Sequence, residues 1–139
     1  YAEGIDVGDI ETVGEVFAEG ELVMPDGSSL VGQTQVFEHF SNLIIFYDED
    51  GHMVPYRRLA CTPRTRHLTS NIIYDFNEAV NHAGVRSYIT CYQTVEGRNE
   101  IIFGGRYVDV FALAQKGWHL VRREILGDNV GDTSAHLKS

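Results

Sequence analysis

The chain is poor in basic residues, cysteine and long apolar runs, and each shortage excludes a class of protein. Eleven Lys and Arg against twenty Asp and Glu give a formal net charge of −9 at pH 7. Such an acidic chain does not suit nucleic acid or an anionic membrane surface, so neither is expected as a partner. No apolar stretch approaches the roughly 20 residues that a spanning helix needs. We therefore expect no membrane partner and a cytoplasmic location.

Sulfur and imidazole groups are too sparse for a disulfide framework or a zinc site. Cys61 and Cys91 are isolated from each other and form no CxxC motif, which favours two reduced thiols. The six histidines are scattered, without an HExxH motif or a cluster of carboxylates. We therefore expect no metal and no cofactor. Because the sequence begins with Tyr1, we also expect the natural chain to start a few residues earlier, and a removed export signal stays open.

What is present points to one domain over residues 1–139. The chain has 139 residues, of which 43% are hydrophobic, enough to build a core of its own. Seven Tyr and seven Phe favour aromatic-rich strands and an aromatic-lined cavity. No linker, repeat or low-complexity stretch interrupts the sequence.

The first half of the chain has the apolar spacing of helices. Residues 1–6 resemble the end of a helix that Gly8 closes, and Asp9 is a good N-cap for a second helix, which Gly20 would stop. A third helix is predicted from Gln33 to about Ile45. Two short strands, Glu21–Met24 and Ser29–Val31, are predicted between the second and third helices.

The second half reads as a long antiparallel meander. Residues 47–63 are predicted to be irregular, and the four strands that follow are predicted at 64–76, 85–95, 100–113 and 118–126. Helices followed by a meander indicate an α+β fold, with the helices packed on a curved, mainly antiparallel sheet. Its concave face would form a small-molecule pocket, for which we expect roughly 300 Å³ or more.

One strand carries the leading candidate for proton transfer, His67. Side chains alternate along a strand, so His67, Thr69 and Asn71 should share one face, opposite a mostly apolar one. The unperturbed pKa of histidine lies near neutrality, and a carboxylate such as Asp6 could orient the ring as a general base. A hydrogen-bonded core histidine, and an Asp6 that caps the turn at Gly8, are the competing interpretations.

Three further side chains could bind a substrate or stabilise charge. Tyr88 and Tyr107 offer phenolic donors, although tyrosine also suits strands for structural reasons. Arg122 and Arg123 point to opposite faces of their strand, so one of them must face inward or toward a partner. Trp118 is expected in the core.

Several local signatures, taken in order, resemble one family. The chain is similar to the SnoaL-like branch of the nuclear-transport-factor-2-like (NTF2-like) superfamily, whose fold is a cone of three helices on a curved sheet. The signatures are Tyr1-Ala2-x-x-Ile5-Asp6-x-Gly8-Asp9, Arg66-His67-x-x-Ser70-Asn71, Arg86-Ser87-Tyr88, Gly105-Arg106-Tyr107-x-Asp109-x-Phe111, Gly117-Trp118 and Gly131-Asp132-x-Ser134-x-His136-Leu137.

The resemblance implies a cofactor-independent lyase, isomerase or cyclase acting on a small hydrophobic molecule. Scytalone dehydratase and hexachlorocyclohexane dehydrochlorinase use an Asp–His pair, which Asp6 and His67 match. A basic residue of the dehydrochlorinase falls at Arg123, and its other basic residue falls close to Tyr1. The dehydratase has a Tyr where this chain has Ile5, and its second active-site His, on a later strand, has no evident counterpart. The expected catalytic residues are Asp6, His67 and Arg123, and the expected substrate contacts are Tyr1, Asn71, Tyr88 and Tyr107.

A non-catalytic reading remains the alternative. Residues 64–68 and 121–126 resemble the small subunit of ring-hydroxylating dioxygenases, which has a structural role. In this interpretation the present chain is a ligand-binding or assembly module. Exposed sheet surface in this fold is commonly used for self-association, so a homo-oligomer, either dimer or trimer, is expected in both readings.

Overall fold

Three helices precede the long strands, as the sequence predicts. The computed structural model describes residues 1–139 and contains α1 (Ala2–Val7), α2 (Ile10–Val16) and α3 (Gly32–Leu43). Gly8 ends α1 in the left-handed region, at φ 75°, and a Cβ there would lie 1.9 Å from the carbonyl oxygen of Cys61. Both its conformation and this close approach therefore require glycine. Asp9 caps α2 by accepting a hydrogen bond from the Thr12 backbone N–H at 3.2 Å.

Six strands form one curved mixed sheet, with the order β2-β1-β8-β7-β6-β5. The β1–β8 pair is parallel and the other neighbours are antiparallel. The α+β prediction, with three helices on a mainly antiparallel sheet, is confirmed. A separate two-stranded sheet pairs β3 with β4. The strands are β1 (Glu21–Val23), β2 (Ser29–Val31), β3 (Phe46–Tyr47), β4 (Met53–Val54), β5 (Thr65–Phe76), β6 (His82–Val95), β7 (Arg98–Ala114) and β8 (Gly117–Val130).

The boundaries differ from the prediction where backbone pairing, rather than side-chain pattern, makes the strand. All of the β3–β4 hairpin except Phe46 lies within residues 47–63, for which the sequence predicts irregular structure. The end of β8 extends to Val130 because Asn129 and Val130 pair with β7, although the polar stretch before them has no strand pattern. The expectation that Trp118 is a core residue is wrong: it is 44% exposed and packs edge-on against Phe76.

The core fills the space between the helices and the concave face of the sheet. It is mostly apolar, and the charged or imidazole groups buried within it are Asp6, Asp109 and His136. These three polar residues all lie in or beside the same region of the cone. No helix is long and apolar enough to cross a membrane. Its members include Ile5, Val36 and Phe40 from the helices, Phe17 directly after α2, and Ile89, Tyr107, Leu120 and Ile125 from the sheet.

Candidate active site

The carboxylate of Asp6 is held against the start of β5 by three hydrogen bonds. Its Oδ2 accepts from the backbone N–H of His67 at 2.8 Å, and its Oδ1 accepts from Thr65 Oγ1 at 2.8 Å. The Nδ1 of His67 lies 2.6 Å from the same Oδ1. Because β5 is an edge strand, the N–H of His67 is free to bind this side chain instead of another strand. The turn at Gly8 brings the end of α1 to this edge.

The hydrogen bonds around Asp6 determine which nitrogen of His67 carries the proton. Burial by itself would raise the pKa of Asp6, but the hydrogen bonds from His67 outweigh it and hold the pKa below its usual value. An ionised carboxylate only accepts hydrogen bonds, so Nδ1 must be the donor. In the neutral ring, Nε2 then keeps its lone pair and is free to accept a proton. This is the arrangement that an oriented general base requires.

His67 lines a cavity of about 130 Å³ between the helices and the sheet. The volume is smaller than the roughly 300 Å³ that the sequence led us to expect, because bulky side chains fill much of the cone. Ten of the fourteen lining residues are hydrophobic, and the aromatic ones are Tyr1, Phe40, Phe103 and Tyr107. Cys91 also lines it, and burial raises the pKa of its thiol to about 12, so the thiol is not a nucleophile at neutral pH.

Arg123 faces inward but lies behind the cavity wall. Its guanidinium donates two hydrogen bonds to the carboxylate of Asp109, at 2.8 and 2.7 Å, and does not line the cavity. The two residues are cross-strand partners on β7 and β8. The guanidinium carbon lies 4.0 Å from the ring centre of Tyr107 and 5.0 Å from that of Tyr1. Arg123 therefore supports two rings that the cavity exposes, without reaching the cavity itself.

Two of the expected substrate contacts lie outside the cavity. A bulge between Ser70 and Ile73 places Asn71 in the left-handed region at φ 53° and breaks the alternation of β5. Asn71 therefore does not share the inward face of His67, and that expectation is wrong. Tyr88 is 53% exposed because the residues on either side of it in β6 face the core. Tyr1 and Tyr107, in contrast, both line the cavity.

His136 is the cavity residue that the sequence analysis missed. It lines the same cavity as His67 and is only 9% exposed. It comes from the segment after β8 rather than from a strand, so the alternation of strand side chains gives no hint of its position. The one available signal was the Gly131-to-Leu137 motif, which contains it and supported only the family resemblance.

Metal-binding side chains occur together at one exposed turn, away from the cavity. The ligand atoms of Asp48, Asp50 and His52 lie within 4.8 Å of one another, and none of the three lines the cavity of His67. Asp48 already accepts a backbone hydrogen bond from His52 at 2.9 Å, which explains the cluster as a turn in the β3–β4 connection. The prediction that the protein needs no metal stays a prediction.

Comparison with known proteins agrees with this architecture. Residues 1–124 match the family model described as a SnoaL-like domain. A candidate scytalone dehydratase from Novosphingobium aromaticivorans is 21% identical with TM-score 0.68, over 95% of this chain and 79% of that one. An NTF2-like protein with a cystatin-like fold, also from N. aromaticivorans, is 19% identical with TM-score 0.69, over 97% and 79%.

A third solved structure shares the fold. It is a candidate aromatic ring hydroxylase from N. aromaticivorans, 21% identical with TM-score 0.68, over 97% of this chain and 87% of that one. At these identities the likeness concerns the fold alone. No curated protein matches the sequence.

Proposed function

The chain belongs to the SnoaL-like domain family, and from its cavity we propose that it is a cofactor-independent proton-transfer enzyme. His67 removes a proton from a carbon next to a carbonyl or leaving group of a small, largely hydrophobic molecule, and Asp6 orients it. The outcome is an elimination, an isomerisation or a cyclisation. The observation that carries the proposal is the 2.6 Å contact between His67 Nδ1 and Asp6 Oδ1, in a histidine that also lines an apolar cavity.

The apolar lining supports proton abstraction from carbon. Carbanion-like charge forms poorly without stabilisation, and a water-poor site strengthens every hydrogen bond that the protein offers to it. Tyr1 and Tyr107 lie in the wall, and burial raises the pKa of both phenols, so both remain protonated donors at neutral pH. We assign Arg123 a positioning role, because it contacts both rings, donates from Nε and Nη2 to Asp109 and does not line the cavity.

The test uses a probe that needs only a base, so the natural substrate does not have to be known. In 5-nitrobenzisoxazole a base removes the ring C–H proton, the C–H electron pair forms the nitrile, the N–O bond breaks, and a coloured phenolate is released. We expect the wild-type protein to accelerate this reaction and His67→Ala to lose about 10²–10⁴-fold in kcat/KM, the usual contribution of a general base.

The matched control is His82→Ala, which removes an exposed histidine that lies outside the cavity. Its rate should equal that of the wild type. Circular dichroism and unfolding in urea should show that His67→Ala is folded. If the wild type and His67→Ala open the probe at the same rate, the enzyme reading fails and the chain is a binding or assembly module.

We also propose that the protein forms a homo-oligomer through the end of the sheet formed by the last residues of β5 and the first residues of β8. An aromatic cluster is exposed there, in which Tyr74 stacks on Phe76 and Phe76 packs against Trp118. Each of the three is 44–59% exposed, and burying such rings against a second copy is favourable. Sedimentation should give a dimer or trimer that Phe76→Lys dissociates. A wild-type protein that sediments as a monomer at micromolar concentration would contradict this.

A further inference from the structure

The segment after β8 carries His136 into the cavity and is fixed there through its backbone. The backbone N–H of His136 donates to Thr133 O at 2.8 Å, and its carbonyl accepts from Ile45 N–H at 2.8 Å. The carbonyl of Ala135 accepts from Tyr47 Oη at 2.7 Å and from Gln93 Nε2 at 2.9 Å. The position of His136 therefore does not depend on its own side chain.

The imidazole of His136 is buried and lacks a partner. Its Nδ1 is inaccessible to solvent and makes no hydrogen bond, although buried polar atoms are nearly always paired. Leaving such an atom unpaired costs stability, so a structural role would be better served by an apolar side chain. The ring lies on the wall of the cavity that holds His67. The other ring nitrogen, Nε2, also makes no hydrogen bond within the protein but is not shut off from solvent, so it is free to bind a molecule in the cavity.

We propose that His136 is a second catalytic residue, whose imidazole donates a hydrogen bond to the oxygen of a small apolar carbonyl compound while His67 removes the proton from the adjacent carbon. The inference rests on the proposed function and narrows its substrate class. In this step the C–H electron pair becomes the C=C bond of an enolate. The carbonyl π pair moves onto the oxygen, His67 holds the proton, and His136 loses none.

The environments of the two imidazoles fit these roles, with His67 as the base and His136 as the hydrogen-bond donor. His67 has a carboxylate partner that stabilises the cation formed when it takes a proton. Burial, together with a smaller effect of the nearby His67, lowers the pKa of His136 to about 4. His136 is therefore neutral at working pH and acts as a neutral donor rather than as a cationic acid.

Tyr1 and Tyr107 are the other donors of the expected site that line the cavity. Asn71 and Tyr88 lie outside the cavity, and Arg123 is engaged by Asp109 behind the wall. The developing oxyanion needs donors already in place, because water is scarce in an apolar site. His136 lines the same cavity as the base His67, and its imidazole makes no hydrogen bond within the protein.

The test compares two probes that differ in how much their leaving oxygen needs stabilisation. Unsubstituted benzisoxazole releases a less acidic phenol than 5-nitrobenzisoxazole, so it depends more on a hydrogen-bond donor. We expect His136→Leu to lose about 10- to 100-fold in kcat/KM on benzisoxazole and distinctly less on the nitro compound. His136→Gln, which keeps an N–H donor, should recover part of the loss.

His39→Leu is the matched control, since Nε2 of His39 is also buried and unpaired but the residue does not line the cavity. Both leucine variants should raise the urea midpoint, and only His136→Leu should slow the probes. If His136→Leu has wild-type rates, or slows both probes equally, the inference is overturned and the proposed function stands. If the wild type is no faster than His67→Ala, both are overturned.

Discussion

Two buried carboxylates inside the cone are each paired with a nitrogen-containing side chain, and the two pairs differ in their hydrogen bonding. The carboxylate of Asp109 accepts hydrogen bonds from Nε and Nη2 of Arg123, at 2.8 and 2.7 Å, and the rings of Tyr1 and Tyr107 cover the guanidinium. Asp6 binds one nitrogen of His67 at 2.6 Å, while the other nitrogen is not bonded by the carboxylate and the ring lines a cavity. Both pairs are similarly buried, with side-chain exposures between 4% and 13%.

The comparison separates a pair that holds the structure together from one that can react. The Asp109–Arg123 pair does not reach the cavity, so its removal affects the free energy of unfolding. A pair with one free lone pair can take a proton, and its removal affects rate. Burial alone therefore does not identify a catalytic carboxylate. What identifies it is a partner that keeps one nitrogen free to take a proton.

The largest effect is expected for the reactive pair, with Asp6→Asn. The amide cannot act as an anionic acceptor, so it does not fix the Nδ1–H tautomer or stabilise the imidazolium of His67. We expect kcat/KM on 5-nitrobenzisoxazole to fall about 10²–10⁴-fold. A variant that retains the wild-type rate while folded would show that His67 needs no orienting carboxylate.

The next effect is expected for the closed pair, with Asp109→Ala. Removing one partner leaves the charge of Arg123 buried and unpaired, which costs about 3–5 kcal/mol of unfolding free energy in urea titrations. The double variant Asp109→Leu with Arg123→Met should recover most of that loss, because no charge remains. If the single and double variants lose the same amount, the loss comes from packing, not from an unpaired charge.

The exposed pair Arg106–Asp128 is a geometric control for the buried one. It has the same two-bond geometry, with both distances at 2.8 Å, but its side chains are 48% and 39% exposed. Solvent screens such a pair, so Asp128→Ala should leave the urea midpoint unchanged. A loss as large as that of Asp109→Ala would mean that burial is not what distinguishes the two pairs.

A smaller effect is expected in the pH dependence of stability, and it separates Asp6 from His136. The folded pKa of His136 is lowered to about 4, so the unfolded chain binds its proton first. Unfolding free energy should therefore fall by about 3 kcal/mol as pH drops from 6.5 to 4. The folded pKa of Asp6 is also lowered, so its contribution is present above the unfolded carboxylate pKa and is lost only as pH falls through the folded value.

Urea titrations between pH 7 and pH 3 check this assignment. His136→Leu should flatten the curve between pH 6.5 and 4, and Asp6→Asn should flatten it only at lower pH. An unchanged slope in His136→Leu would show that other groups cause the loss.

Local signals in the sequence account for much of the fold. The stop of α1 at Gly8 and the start of α2 at Asp9 follow from a left-handed conformation and an N-cap, each set by one residue. The long strands follow from alternating apolar residues divided by short, mostly polar turns. The pairing of Asp6 with His67 was reached through the family resemblance, because no local rule brings residues 61 positions apart together.

The remaining parts depend on contacts between distant segments. The bulge at Asn71 turns its side chain away from the face of His67, and the neighbouring sequence does not predict this bulge. His136 reaches the cavity because the backbone after β8 bonds to Ile45 and Leu43, and backbone bonds leave no pattern in the sequence. Strand alternation predicts that one of Arg122 and Arg123 faces inward or toward a partner, but that Arg123 meets the carboxylate of Asp109 depends on the register of β7 and β8.

The central claim is that neutral His67 carries its proton on Nδ1 and presents a free Nε2 to the cavity. Nitrogen-15 NMR of the histidine side chains reports this tautomer directly, and His67→Ala assigns the signal. At neutral pH the account predicts a protonated Nδ1 and an unprotonated Nε2 for His67. A proton on Nε2 at that pH would contradict it, because His67 would then have no lone pair with which to take a proton from a substrate.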